Sequence, residues 1–179
     1  MTDSPTVSAS GTLALSHYLT SRGFATQDHI DGILGISSEE LEDPDCRVAV
    51  HSHNQLWQEA LLLTGDPALG LRLGEIVDPD RMGLMSHIVF NSDTIEHALE
   101  EYMRLHRLVN EAVHLYQTRE GDRIRVTWHV PDPALYCIPD MDRTLSAAVT
   151  RARHFIHPRL AIEQLSLAHE DPGYRAHYE

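Results

Sequence analysis

The spacing of apolar residues predicts an α+β domain, helix-rich, with helices packed on a small antiparallel sheet. Three observations lead there. From residue 92 to 109 apolar side chains recur at helical spacing, whereas from 113 to 130 the period drops to two. Glycines close the helical runs, most plainly where Leu61-Leu62-Leu63-Thr64 stops at Gly65 and Asp66-Pro67 opens a new segment.

Taken in order, residues 1–11 lack the basic start and apolar middle of a signal peptide and read as a disordered leader, with the folded domain running 12–179. A helix over 11–22 carries Leu13, His17 or Tyr18, and Leu19, and ends at Gly23. Thr26 caps a second helix that Gly35 ends, and Ser37 to Leu41 adds a further turn. Glu42-Asp43-Pro44-Asp45 is a solvated acidic corner, and Arg47 to Val50 is briefly extended. Ser52-His53-Asn54-Gln55 has the form of a capping box ahead of a helix burying Leu56, Trp57, Ala60, Leu61 and Leu63. After the Gly65 corner a short helix spans Asp66 to Leu73. Gly83 to Phe90 is apolar and too short to classify by period.

Ser92 and Asp93 open a helix whose stripe is Ile95, Ala98, Leu99, Tyr102, His106 and Val109, with Glu100 and Arg104 paired on its outer face. A hairpin follows. A two-residue Glu120-Gly121 loop pairs Leu115 with Val126 and Val113 with Trp128, gathering the apolar residues on one face. Pro131-Asp132-Pro133 ends it. A long helix from Asp140 buries Met141, Leu145, Ala148, Val149, Ala152, Phe155 and Ile156 until Pro158. Ala161 to Ala168 reads as another strand, and Asp171-Pro172 starts a last helix.

The length of 179 residues suits one domain with a real core, and no apolar run approaches the ~20 residues that span a bilayer. Cys46 and Cys137 have no Cys-x-x-Cys spacing, so neither a disulfide framework nor a secreted setting is indicated; the cytoplasm is the expected compartment. The net charge of −13 argues against direct contact with nucleic acid. All 14 basic residues are Arg, which excludes a lysine Schiff base and a P-loop lysine.

Several stretches then align together. Thr64-Gly65-Asp66-Pro67-Ala68-Leu69-Gly70-Leu71-Arg72, Gly83-Leu84 with the run to Ser92, and Thr94-Ile95 through Ala98-Leu99 occur in this order. Tyr102, Arg107-Leu108, the Glu120-Gly121-Asp122 turn, and Leu165-Ser166-Leu167-Ala168-His169 with Pro172 and Tyr174 follow. Over residues 12 to 178 this resembles the N-terminal effector-binding, arabinose-binding-type domain of AraC-family bacterial transcription regulators. It departs from the pattern at Asp93, where that family often has Pro, and matches only approximately over Arg104 to His106. The resemblance implies a non-enzymatic sensing domain that dimerises, binds a small-molecule effector without a cofactor, and biases a DNA-binding half. DNA would then be met only through a C-terminal pair of helix-turn-helix units, which this sequence lacks; the chain is either a sensing domain cut from a longer protein or a natural stand-alone copy. No sugar-binding signature favours arabinose.

The residues offer few sites. Tyr102 and His106, one turn apart, with Trp128 of the hairpin, have the composition of a pocket wall with placed polar groups, although His106 reads first as a buried histidine bonded to Tyr102 or a carbonyl. His51 with His53, and His154 with His157, are weak metal candidates; the latter pair also suits a helix C-terminus. Glu39-Glu40 and Glu100-Glu101 diverge by ~100° per residue and make no acid/base pair. No Gly-x-Ser-x-Gly exists, and Cys137 reads as an inert buried thiol. Two other readings stay open: a metal-responsive, His-rich protein, and a dimerisation module that binds no ligand.

Overall fold

A computed structural model describes residues 4–77 and 91–178. The unclassified stretch Gly83 to Phe90 lies outside the described residues. Strand β1 (Thr6–Ser8) pairs antiparallel with β2 (Arg47–Ala49), Val7 opposite Val48 and both buried. Helix α1 (Ala9–Ser21) starts at once, so residues 6 to 11 belong to β1 and α1 and not to a leader. Polar contacts fix this end. Thr6 donates from its backbone nitrogen and its hydroxyl to Glu111 Oε2, both at 2.8 Å, and accepts from Arg47 Nε at 3.0 Å.

Thr26 caps α2 (Gln27–Leu34) through the His29 N–H, and Gly35 ends it in the left-handed conformation. Ser37 and Glu40 form a reciprocal capping box on α3 (Ser38–Leu41). Helix α4 (Val50–Thr64) follows β2 without a gap, which places Ser52 inside the helix. The capping box expected at Ser52 to Gln55 is therefore not the N-terminus; the Val50 N–H donates to the Pro5 carbonyl at 3.0 Å instead. Leu15, Leu19, Ile30, Leu41, Leu56 and Trp57 close into one core around α4.

Gly65 ends α4 with φ 62°, as its sequence context requires. Asp66 then accepts from the Ala68 N–H at 3.0 Å, delaying α5 to Leu69–Gly74. This short helix lies directly on α7 (Ile138–Arg151). A Cβ on Gly70 would overlap the Pro139 carbonyl, and one on Gly74 would sit 2.6 Å from the Arg143 carbonyl oxygen. The two glycines thus allow backbone-to-backbone packing, and Ser146 Oγ completes it by donating to the Leu71 carbonyl at 2.9 Å.

Thr94, not Ser92 or Asp93, caps α6 (Ile95–Val109), and Arg104 pairs with Glu101 in place of Glu100, both being helical neighbours. Strands β3 (His114–Glu120) and β4 (Arg123–His129) form the second sheet, with Leu115 opposite Trp128 and Gln117 opposite Val126. The register is two residues from the expected one. Gly121, at φ 68°, takes the first central position of a Gly121-Asp122 turn with Asp122 at negative φ, the pattern of a type II′ turn. A shift of two preserves the faces, so Leu115, Val126 and Trp128 still share one side.

A 3-10 turn (Pro133–Leu135) leads into α7, which begins two residues before Asp140 and passes into a π-helical turn (Ala152–Ile156). Of the stripe expected on α7, Met141 is buried, but Leu145, Ala148 and Val149 are only half-buried; the deepest positions include Asp142 and Ala147. The strand expected at Ala161 to Ala168 does not form: alternation is present but no edge pairs with it, and Ile162 and Leu165 are exposed. The last helix is a 3-10 turn (Arg175–Tyr178). The α+β, helix-rich class holds, with two separate two-stranded sheets among the described residues in place of one.

Candidate functional site

Helical spacing places Ala98, Tyr102 and His106 on one face of α6. The hairpin brings Trp128 to the same place. The Tyr102 and His106 rings stand 5.3 Å apart, those of Tyr102 and Trp128 6.4 Å, and Trp128 Nε1 lies 3.4 Å from the Tyr102 hydroxyl. The three sequence-selected residues therefore meet.

Among the described residues His106 does not find the hydrogen bond that a packed core histidine would make. It is 3% exposed, and neither ring nitrogen has a partner among those residues. Burial pushes its pKa down to about 4, against the opposing pull of the Asp140 carboxylate, so the ring is neutral at neutral pH. His106 also lines a cleft of about 240 Å³ with Met103, Val113, Leu115 and Tyr116. Buried polar groups are normally satisfied, and an orphan at a cleft wall suits a bound polar group.

Helix α7 supplies residues that the sequence reading passed over. Asp140, Arg143, Ala147 and Arg151 repeat at three- and four-residue steps and share a face. Asp140 Oδ1 is 3.2 Å from His53 Nε2 and 3.3 Å from Arg143 Nε. Burial alone would raise the Asp140 carboxyl, but His53 and Arg143 together hold it well below the usual carboxylate range. Arg151, half-buried as a whole, has a buried Nε without a partner among the described residues. Burial and the Arg143 charge lower its pKa, and the Tyr102 phenol opposes them. The Tyr102 phenol is itself raised by burial. The available signal was charge recurring along an otherwise apolar helix.

The histidine pairs do not converge. His51 is exposed, whereas His53 is buried between the Thr12 hydroxyl, at 2.8 Å from Nδ1, and Asp140. His154 packs edge-on against Phe155, and His157 Nδ1 accepts from the Arg159 N–H. Among the described residues no three His, Cys, Asp or Glu side chains are grouped to hold a metal ion. Cys137 is buried and its thiol is pushed up to about 12, chiefly by desolvation. Among the described residues no helix is long and apolar enough to cross a membrane.

Residues 23–179 match the family described as the arabinose-binding domain of AraC transcription regulators, N-terminal part. Similarity also extends to an ornithine utilization regulator of Pseudomonas aeruginosa, 30% identical over 80 residues, covering 45% of this chain and 24% of that protein. The chain thus spans much less than two thirds of the curated relative it matches. With a match over 157 of its 179 residues (23 to 179), the chain belongs to the arabinose-binding-type N-terminal domain family of AraC transcription regulators, a family of regulatory domains.

Proposed function

We propose that this domain senses a small organic effector at the junction of α6, α7 and the hairpin, and that occupancy biases the geometry of an attached DNA-binding part. The observation carrying this reading is His106, buried beside Tyr102 and Trp128 and, among the described residues, unpartnered on both nitrogens. A ligand polar group that met His106 would supply a hydrogen bond which the described residues do not. Because a ligand shifts an equilibrium only by its differential affinity, it must bind one arrangement of these helices better than another. In this reading the domain is a cytoplasmic homodimer that carries no cofactor and catalyses nothing. With a net charge of −13, DNA contact falls to helix-turn-helix units of the kind AraC regulators carry.

Thermal melting against a metabolite panel tests it, with arabinose and ornithine included because the family and the relative bear those words in their descriptions. A ligand at 100 times its Kd stabilises the fold by about 2.7 kcal/mol. His106→Phe should abolish the shift and keep the fold. A silent panel on folded protein would overturn the sensing reading, and a melting point lowered by chelator would favour metal dependence. A strict monomer by light scattering at micromolar concentration would remove the dimer.

A further inference from the structure

One nitrogen in the core faces two incompatible partners. His53, its side chain 3% exposed, holds Nε2 at 3.2 Å from Trp57 Nε1 and also at 3.2 Å from Asp140 Oδ1. An indole N–H can only donate, and an ionised carboxylate can only accept. A bond from Trp57 therefore needs a bare Nε2, whereas a bond to Asp140 needs a proton there. The two exclude each other. The second ring nitrogen does not decide between them, because the Thr12 hydroxyl, 2.8 Å from Nδ1, can donate or accept.

The Trp57 N–H is directed at Nε2, so in this arrangement the ring proton belongs on Nδ1. Asp140 then faces a nitrogen lone pair, and Arg143, with Nε 3.3 Å from the same oxygen, supplies the countercharge. Trp57 is fully buried, and an indole N–H stripped of its acceptor there is costly. Neither arrangement serves all three groups, so one proton shifts the balance. Among the described residues Asp140 is the carboxylate within ion-pair distance of His53. The charged groups on the other elements packed against α4 are engaged elsewhere: His29 of α2 with Glu59, Asp132 of the 3-10 turn with the Ala134 N–H, and Arg47 of β2 with Thr6. His17 of α1 is exposed, and Cys137, just ahead of α7, keeps its thiol neutral.

We propose that His53 is a proton-operated junction between α4 and α7: its neutral ring accepts from Trp57 through Nε2, and a second proton makes it release Trp57 and donate to Asp140. That proton comes from solvent by way of Asp140, the more exposed partner, and ends in one new N–H bond. In the charged form Nδ1 donates to Thr12 and Nε2 to Asp140, so α1, α4 and α7 are drawn together through one imidazolium. The Asp140 charge also acts on His106, which brings the candidate site within electrostatic reach of the junction. The junction operates whether or not the domain senses a ligand.

The test follows the whole chain by NMR, labelled with 15N in histidine and tryptophan, from about pH 8 to about pH 5, the range over which histidines ordinarily change charge. At the basic end His53 should show a bare Nε2 and a protonated Nδ1, with the Trp57 indole proton protected from exchange. Toward the acid end Nε2 should gain its proton while the Trp57 N–H loses protection in step. Two variants push in opposite directions. Trp57→Phe removes the donor and should put the proton on Nε2 already at the basic end. Asp140→Asn removes the charge and offers an amide donor, so Nε2 should stay bare at a pH where wild type has filled it. A histidine that is only packed in the core would change its protonation pattern in neither variant. A wild-type Nε2 that is protonated at the basic end, or that stays bare throughout, overturns the proposal, as does a tautomer unmoved in Trp57→Phe. Should Trp57→Phe fail to fold, a Trp57 N–H that keeps its protection while Nε2 takes up the proton overturns it equally.

Discussion

His53 Nε2 stands 3.2 Å from Asp140 Oδ1, which ties the middle of α4 to the first turn of α7 across the buried core. The opposite nitrogen of the ring is 2.8 Å from the Thr12 hydroxyl, so α1 joins the same chain of contacts. Removing one partner of such a buried pair leaves the others uncompensated, and Asp140→Ala should cost about 3–5 kcal/mol in urea denaturation. Thr12→Val should cost about 1 kcal/mol. The pH dependence has a definite sign. The Asp140 carboxyl is held low in the folded state, so its stabilisation is fully present above the ordinary carboxylate value and is lost as pH falls from there toward the depressed folded value. Asp140→Asn should flatten the acid limb of a stability-against-pH curve.

Gly70 and Gly74 give a second test, with a built-in control. Because the atoms facing Gly70 belong to the Pro139 backbone, they cannot rotate away. Gly70→Ala should destabilise by about 1–3 kcal/mol, and Gly74→Ala similarly. Gly32, inside α2, has open space around it. There Ala should stabilise by about 0.5–1 kcal/mol through helix propensity and reduced freedom of the unfolded chain. Chemical denaturation of the three variants should show opposite signs.

Local chemistry made the corners legible. Gly35 and Gly65 close their helices in the left-handed conformation expected of them, and alternation gave the hairpin its correct apolar face. The register slipped by two because face composition is unchanged by an even shift; only the turn geometry at Gly121 decides it. The β1–β2 pair escaped notice since three residues a side carry almost no periodic signal, and Thr6 is anchored by Arg47 and Glu111, distant in sequence. At Ala161 to Ala168 the opposite error arose: a period of two states which way side chains point, not that a neighbouring strand exists. Tyr102, His106 and Trp128 came together because each element had one apolar face to hide. The charged face of α7 that carries Asp140, Arg143 and Arg151 was illegible, since periodicity finds apolar faces and cannot say which charges share them.

His106 makes stability fall with pH in a particular window. Its folded-state pKa, about 4, lies below the ordinary value of about 6.5, so the unfolded chain takes the proton first. Stability is then lost progressively as pH drops from about 6.5 toward 4, and the sum between pH 7 and pH 5 is about 2 kcal/mol. His106→Phe, which cannot take up a proton, should remove that slope while leaving the carboxylate-driven loss at lower pH intact. Denaturation midpoints at pH 7 and pH 5 for both proteins check it. An unchanged slope in the variant would assign the loss to another group.

Asp142 anchors the C-terminal turn. Its carboxylate, 1% exposed, accepts from Tyr174 and Tyr178, whose rings stack at 5.8 Å, while Tyr136 and His169 join at 2.9 Å through the His169 Nδ1. Burial, and then the neighbouring Asp142 charge, push both phenol pKa values up, so neither tyrosine ionises in any ordinary buffer. Arg175 lies exposed between them, and cleavage after it requires the turn to lift from α7. A hydrogen bond to a charged group contributes about 1.5–3 kcal/mol. Where opening is fast relative to cleavage, Tyr174→Phe should therefore accelerate tryptic release of the last four residues about 10- to 100-fold. Tyr178→Phe should do so less, because that side chain is only half-buried and water can replace part of its bond. Global unfolding of the two variants should change less than this local rate, since Trp57 and the helices around it hold the core without the turn.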